Sequence, residues 1–526
     1  MMNRKSLLRF TAVLGAISVL TSCLRDSYDS GAITEERLQE LAAQDPERIF
    51  RSKINGLYSN VQSYAYSDFG HNYFGQKSFD YLSSLMGNDM IMTGRYNMSL
   101  LHHILQYRSS NLVPTYNRWY EYYTYVASAN EMLATIGKIE NPSDEVLSYK
   151  AIALTFRGYA YEYLSVLYSF CYKVGAEGTP WEVGADHSSD PCVPLVTENT
   201  EGYQPRATQE KIYERITADL EEAMEIFSEL GRERTPDPCD IDGCVAATYL
   251  ARAYMNMQRW DDALRCAQMV IDNFEVLDTR EEILQGFSDI NLPDVVWGCE
   301  ITSDNTTNYR SWFSQMDCYG SGYAGIGVTR AAFKPFLDRI SVLDVRKMWW
   351  CCSETTGGKI RDTKKEADVS GQSVKFVGVG RENIIAGNTA NWNLGDYIYL
   401  RSEEAWFVKA EALAHKNKLP DAASVLRQLM LTRNPSYTVE SSDKATLIEE
   451  INFQKRVEFW GEGIEYLDNR RLNIPIDRSD ETWGKDNNHL DGCKISVGQE
   501  DDRMRYQIPD SEMENNSALN ENDQNP

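Results

Sequence analysis

Apolar residues return at helical spacing through much of the chain. Trp119, Tyr123, Val126 and Leu133 form one stripe. Ile152, Phe156, Tyr159, Tyr163 and Leu167 form a second, at steps of 4, 3, 4 and 4. A third runs through Ile212, Ile216, Leu220, Ala223 and Phe227, and a fourth through Leu250, Ala253, Tyr254 and Met257, then Ala263, Ala267 and Val270. Each fits the 3.6-residue period of an amphipathic helix with one buried stripe, so the spacing predicts a mostly α protein. Two stretches break the pattern. Residues 56–100 and 300–400 are rich in Gly, Asn, Ser and Tyr, hold no sustained period, and read as long irregular insertions. "SDNTTNYRSWFSQMDCYGSGYAGIG" (303–327) is the clearest case. Long loops on a rigid frame are where binding usually sits.

Two segments repeat one design. "YLARAYMNMQRWDDALRCAQMVIDN" (249–273) resembles a tetratricopeptide helix pair, with small Ala253 and Ala263 between the helices and a corner at Gln258-Arg259. "EEAWFVKAEALAHKNKLPDAASVLRQLMLTRN" (403–434) has the same plan: a helix through Ala414, a short turn, and Pro420 near the next helix start. Helix pairs of this kind bury their stripes only against neighbours, which implies a stacked right-handed scaffold.

The N-terminus carries an address. Arg4, Lys5 and Arg9 precede an apolar run of 11 residues from Phe10 to Leu20, followed by Thr21 and Ser22. That is the layout of a secretory signal, and the run is too short for a helix that needs about 20 residues to cross a membrane. Leu20-Thr21-Ser22-Cys23 is similar to the bacterial lipobox, which implies a signal peptide over residues 1–22 and a lipidated Cys23 as the first mature residue. Several acyl chains then hold a protein durably, since each buried CH₂ contributes about 0.8 kcal/mol.

Composition narrows the function further. With 526 residues and 42% hydrophobic content, the chain can bury a sizeable core, and its mean hydropathy is −0.48. The formal net charge is −25, and loss of the three leader cations takes the mature chain to −28. Such a surface repels phosphate backbones and anionic headgroups, so nucleic acid is a poor partner and the membrane is touched only through the anchor. Eleven cysteines, ten besides Cys23, fit an exported protein. Cys239 and Cys244 are close enough for a local disulfide, Cys351 and Cys352 are adjacent, and Cys171, Cys266 and Cys299 read as buried thiols. No metal or cofactor is expected: "CDIDGC" lacks Cys-x-x-Cys spacing, "DIDG" (240–243) is only a fragment of a calcium loop, and there are six histidines. Gly-x-Ser-x-Gly, Walker and His-Glu-x-x-His motifs are missing, and with 78 Asp and Glu any carboxylate pair is uninformative.

Ordered blocks resemble the SusD/RagB family across nearly the whole mature chain. They are "RWYEYYTYVASANEML" (118–133), "YKAIALTFRGYAYEYLSVLYSF" (149–170), "CVPLV" (192–196) and "IYERITADLEEAMEIF" (212–227). "YLRSEEAWFVKAEALA" follows with Arg401, Glu404 and Glu411 in register, then "KRVEFWGEGIEYLDNRRL" (455–472), "YQIPDSEMENN" and the terminal "QNP". The family's Leu-Asp-x-x-Pro after the lipidated cysteine is missing, Gln454 replaces a common glutamate, and Glu465 a common arginine. The resemblance implies one SusD-like domain over 23–526: a tetratricopeptide-like scaffold decorated with irregular loops. It also implies a non-catalytic lipoprotein of a Gram-negative outer membrane, facing outwards. Such a protein binds a nutrient glycan, or a peptide in some relatives, and delivers it to a SusC-like TonB-dependent transporter. A surface glycoside hydrolase and a helical-repeat scaffold or adhesin without a small ligand are the competing readings.

Arg456, Glu458, Glu462, Asp468 and Arg471 in the 455–472 block read as a buried or half-buried ion-pair network rather than as catalytic acids. The candidate ligand surface comes from loop residues. Tyr309, Trp312, Tyr319 and Tyr323, with Asn305 and Asn308, cluster without helical spacing and supply ring faces and amides for a sugar. In relatives the loop before the Trp119 helix joins this surface, which adds Asn88, Asp89, Arg95, Tyr96 and Asn97.

Overall fold

A computed structural model of the chain describes residues 46–65, 70–94, 99–305, 309–379, 394–440 and 442–526. The signal segment 1–22 and Cys23 lie outside the described residues. Two compact units divide the chain at Lys53 and Ile54, and the account below concerns the second. No described helix is long and apolar enough to cross a membrane.

Counting only the longer helices, the order is α1 (Pro46–Ser63), α2 (Gln76–Met86), α3 (Val113–Ile136), α4 (Asp144–Tyr168), α5 (Gln209–Glu229), α6 (Gly243–Met257), α7 (Trp260–Asn273), α8 (Glu403–His415), α9 (Leu419–Arg433), α10 (Lys444–Glu458) and α11 (Ile464–Leu472). Helices α3 to α9 pack each on the next, which is the mostly α helical-repeat scaffold the periodicity predicts. Each start has a local cause. Ser143 caps α4 by accepting from the Val146 N–H, with Asp144 and Glu145 in the first turn, and Asp242 caps α6 by accepting from the Val245 N–H. Both repeat corners turn through one left-handed residue, Gln258 (φ 59°) after α6 and Asn417 (φ 58°) after α8. At each corner the next N–H reaches back to a carbonyl of the last helical turn: Arg259 to Tyr254 and Lys418 to Leu413, both 2.9 Å. Tyr159 and Tyr163 of the second stripe are core residues, and Tyr122 and Tyr249, which lie off the expected stripes, join them in an aromatic column that Trp297 closes; Tyr123 of the first stripe is half-buried.

The two stretches without a period are more ordered than their composition suggests. Residues 56–100 contain α2, buried along its whole length, and the strand β1 (Met90–Met92). Beyond the hairpin of β2 (Pro191–Pro194) and β3 (Arg206–Thr208), β4 (Val295–Cys299) pairs with β8 (Tyr397–Arg401). Within 300–400, β5 (Arg330–Ala332), β6 (Trp350–Cys351) and β7 (Gln372–Ser373) join β1 in an antiparallel sheet of order β1-β5-β7-β6. That sheet covers a second core holding Phe313, Trp349, Trp350, Phe376 and Trp460. Strands of two or three residues leave no local period to read, and β1 finds its partner β5 only across the chain, Met90 opposite Ala332.

Buried ion pairs join this sheet layer to the helices. Glu458, at the end of α10, accepts from Arg346 (3.2 Å), Arg401 (3.1 Å) and Arg433 (3.0 Å), all four side chains being sealed from solvent. Arg401 also meets Glu462 (3.0 Å) and Asp294 (3.3 Å), Lys375 meets Glu462 (2.6 Å), Arg433 meets Glu403 (2.8 Å), and Arg346 meets Asp344 (2.8 Å). Burial and the adjacent Glu403 push the Asp294 carboxyl well above its ordinary value. The expected network of Arg456, Glu458, Glu462, Asp468 and Arg471 is present but divided, with Glu458, Asp468 and Arg471 buried and Arg456 and Glu462 half-buried. Arg456 pairs with Asp89, and Arg471 links Asp468 to Glu411.

Burial alone would raise Glu458, but Arg433, Arg401 and Arg346 outweigh it and hold the carboxyl well below its usual range; Glu462 is likewise depressed by Arg401 and Lys375. A carboxyl depressed in the folded state stabilises above its unfolded value and loses that contribution as pH falls through the folded value. The stability that Glu458 and Glu462 contribute is therefore expected to be lost, and the urea midpoint to drop, below about pH 4.5. An unchanged midpoint at pH 3.5 would contradict this.

Candidate functional site

Three rings meet at the surface. His71 stacks on Tyr309 (5.7 Å between centroids, 14° between planes), and Tyr323 leans against both, 5.7 Å from His71 and 5.5 Å from Tyr309. The Tyr323 hydroxyl and His71 Nδ1 share a hydrogen bond of 2.5 Å. Tyr309 is 44% exposed, His71 is exposed and Tyr323 half-buried. Burial, then the neighbouring Tyr309, raises the Tyr323 phenol.

The loops under these rings are fixed. Arg310 Nε donates to the Tyr73 carbonyl (2.7 Å) and Gln315 Nε2 to the His71 carbonyl (3.4 Å), so the 70–75 and 309–316 segments hold each other. Ser311 caps the short helix Trp312–Met316 by accepting from the Ser314 N–H. The Ala324 N–H then donates to the Ser314 carbonyl (2.9 Å), which seats Tyr323 above the helix. Gly322 is required there, because a Cβ would lie 2.4 Å from Ser314 Cα. The result is a ring surface on a stiff base, with phenol and imidazole edges available to hydroxyls.

Only part of the expected surface is here. Tyr309 and Tyr323 come together. Asn305 is exposed nearby in sequence, but its amide is engaged locally: Oδ1 accepts from the Thr302 N–H (2.8 Å) and Nδ2 donates to the Glu300 carbonyl (3.3 Å). Trp312 is a correction. It is 1% exposed, with Lys77 Nζ 4.3 Å from its ring centre and Phe376 meeting it edge-on at 5.0 Å, so no sugar can stack on it. Tyr319 is also interior, its hydroxyl donating to the Arg361 carbonyl (2.9 Å). Asn88 and Asp89 are buried structural residues: Asn88 Nδ2 donates to the Pro475 carbonyl (3.0 Å), and Asp89 Oδ2 accepts from Arg456 Nε (2.7 Å). Both are drawn inside because Glu465 accepts from their backbone N–H groups and the Asn88 amide bonds the backbone at Pro475 and Asp477. Arg95, Tyr96, Asn97 and Asn308 lie outside the described residues. His71 was not among the expected residues, although "GHNYFG" (70–75) has the Gly, Asn and aromatic content that marked 303–327.

Among the described residues no group of three or more side chains is arranged to hold a metal ion. A family model described as "Starch-binding associating with outer membrane" matches residues 43–255, and a second, described as "SusD family", matches residues 363–526; together they span more than two thirds of the chain. The chain belongs to the SusD family.

Solved structures agree on the fold. A SusD-like carbohydrate binding protein from Bacteroides vulgatus is 21% identical with a TM-score of 0.72, covering 91% of this chain and 98% of that one. A SusD superfamily protein from Bacteroides thetaiotaomicron is 20% identical with a TM-score of 0.70, covering 91% and 99%. Surface glycan-binding protein A of that organism, solved with laminarihexaose, is 14% identical with a TM-score of 0.63, covering 91% and 99%. No curated protein is significantly similar in sequence to this chain.

Proposed function

We propose that this SusD-family protein is a lipid-anchored lipoprotein on the outer face of a Gram-negative outer membrane. It retains a nutrient glycan and passes it to a SusC-like TonB-dependent transporter. Residues 1–22 are the removed signal, Cys23 carries the acyl chains, and 23–526 is one SusD-like domain. The observation that carries the ligand assignment is the exposed His71–Tyr309–Tyr323 cluster on a scaffold shared with a protein solved with an oligosaccharide. Stacked and tilted rings bearing hydroxyl and imidazole edges suit the apolar faces and hydroxyls of sugar rings. Discrimination among sugars is left to the rim, so the sugar class follows from binding assays. A peptide ligand is the alternative that such an assay would reveal.

Fractionating producing cells tests location and partnership together. The protein is expected in the outer-membrane fraction with diacylglyceryl mass on Cys23, and gentle detergent extraction is expected to bring a β-barrel transporter with it. Cys23→Ala is expected to release it from the membrane. Wild-type protein found soluble with an unmodified N-terminus would contradict the assignment.

A further inference from the structure

We infer that Cys239 and Cys299 are a disulfide-forming pair that fastens the root of the segment carrying Tyr309. Ten cysteines lie among the described residues, and eight are buried; only Cys239 and Cys299 reach solvent. These two are neighbours in space. The Gly298 N–H donates to the Pro238 carbonyl (2.9 Å), and Trp297 Nε1 donates to the Cys239 carbonyl (3.3 Å). Tyr399 touches both Trp297 and Cys299: its ring lies 4.8 Å from that of Trp297, and its hydroxyl 3.1 Å from Cys299 Sγ. The Cys239 thiol is turned towards the Glu300 N–H, the residue next to Cys299, and Cys239 in turn raises the Cys299 thiol.

The local pairing of Cys239 with Cys244 that their spacing permits is not favoured. Cys244 is buried at the start of α6, its thiol directed at the Met269 carbonyl (3.8 Å). Cys239 faces the other way because its loop is held from both ends: the Cys239 N–H donates to Asp237 Oδ1 (2.9 Å), and the Ile241 N–H to the Tyr58 hydroxyl (3.0 Å).

The chemistry is thiol–disulfide exchange. The Cys239 thiolate attacks an external disulfide, forming a mixed disulfide and expelling one thiolate. The Cys299 thiolate then attacks the Cys239 sulfur and expels the second. The two protein thiols lose two electrons and two protons, and the external disulfide is reduced to two thiols. Burial pushes Cys239 up to about 11 and Cys299 up to about 12. The thiolate is scarce at neutral pH, so oxidation of the folded protein is slow and speeds up about tenfold per pH unit. Chain leaving the cytoplasm unfolded would close the bond faster.

The bond would act where it matters for binding. Glu300 follows Cys299 directly, its carbonyl accepts from Gln62 Nε2 (3.0 Å), and the Ile301 N–H donates to Asp396 Oδ1 (3.0 Å). Tyr309 lies at the far end of this same segment.

The test supplies its own oxidant, so its outcome does not depend on where the protein resides. Full-length protein is incubated with oxidised glutathione at pH 7, 8 and 9, alkylated in denaturant, digested with trypsin and mapped by mass spectrometry with and without reduction. The expected product joins the peptides 235–252 and 281–310, lighter by two hydrogens than their sum. Fragmentation assigns the bond to Cys239 rather than Cys244, and its yield rises with pH. Cys239→Ser and Cys299→Ser each abolish it. Recovery of both cysteines fully alkylated at every pH, or a bond to Cys244, overturns the inference.

Discussion

Glu458→Ala is expected to destabilise the protein by about 3–5 kcal/mol, read as a large fall in the urea midpoint or as loss of soluble protein. The carboxylate is sealed from solvent and accepts from three arginines, on α9, at the end of β8, and at Arg346. Its removal leaves three guanidiniums in a low-dielectric interior with one anion fewer, and the unpaired charge dominates the loss, not the missing contact. The same cluster joins the helical array to the sheet layer under the ring surface, so the damage should reach both cores. A surface pair is the control. Arg503 and Asp501 lie 2.8 Å apart with side chains 47% and 33% exposed, and Arg503→Ala is expected to cost at most about 1 kcal/mol. Equal effects of the two substitutions would show that burial of the Glu458 cluster has been misread.

Tyr309→Ala and Tyr323→Ala are each expected to weaken glycan binding on the order of tenfold, about 1.4 kcal/mol, and together to remove most of it. Neither ring is part of the core, so the urea midpoint should move little. Trp312→Ala should behave in the opposite way. Deleting a fully buried indole that packs against Lys77 and Phe376 is expected to cost about 3–5 kcal/mol of stability. Any loss of affinity in that variant would track loss of folded protein. Titration calorimetry with the same glycan, beside urea unfolding of each variant, separates the two classes. A Trp312 variant that folds normally but no longer binds would reverse the assignment.

The helical half was readable because its signal is local. The run Ile152, Phe156, Tyr159, Tyr163 and Leu167 is buried, in a helix whose other faces are buried too from Ala151 to Tyr168, and the corners at Gln258 and after Ala414 turn where the repeat pattern puts them. The ring surface was half readable. Composition marks 303–327 as a loop rich in aromatics, but it does not say which rings point outwards. Tyr309 and Tyr323 stay at the surface, while Trp312 opens a five-residue helix that drops its ring into the core beside Lys77 from α2. No period announces that helix, because five residues complete barely more than one turn. Partner identity was out of reach for a related reason. The block 455–472 announces its charged residues, but Glu458 is neutralised from Arg346, Arg401 and Arg433, and Arg456 by Asp89, at separations only the folded chain closes.

The central claim is that a SusD-family scaffold holds a glycan through exposed rings and leaves it intact. Its most direct test incubates the purified mature protein with a panel of oligo- and polysaccharides, recording binding and the release of reducing ends in the same samples. The account predicts saturable binding of at least one glycan, weakened by Tyr309→Ala and Tyr323→Ala, with reducing ends constant over time. Steady release of reducing ends, or glycan binding indifferent to both substitutions, would contradict it.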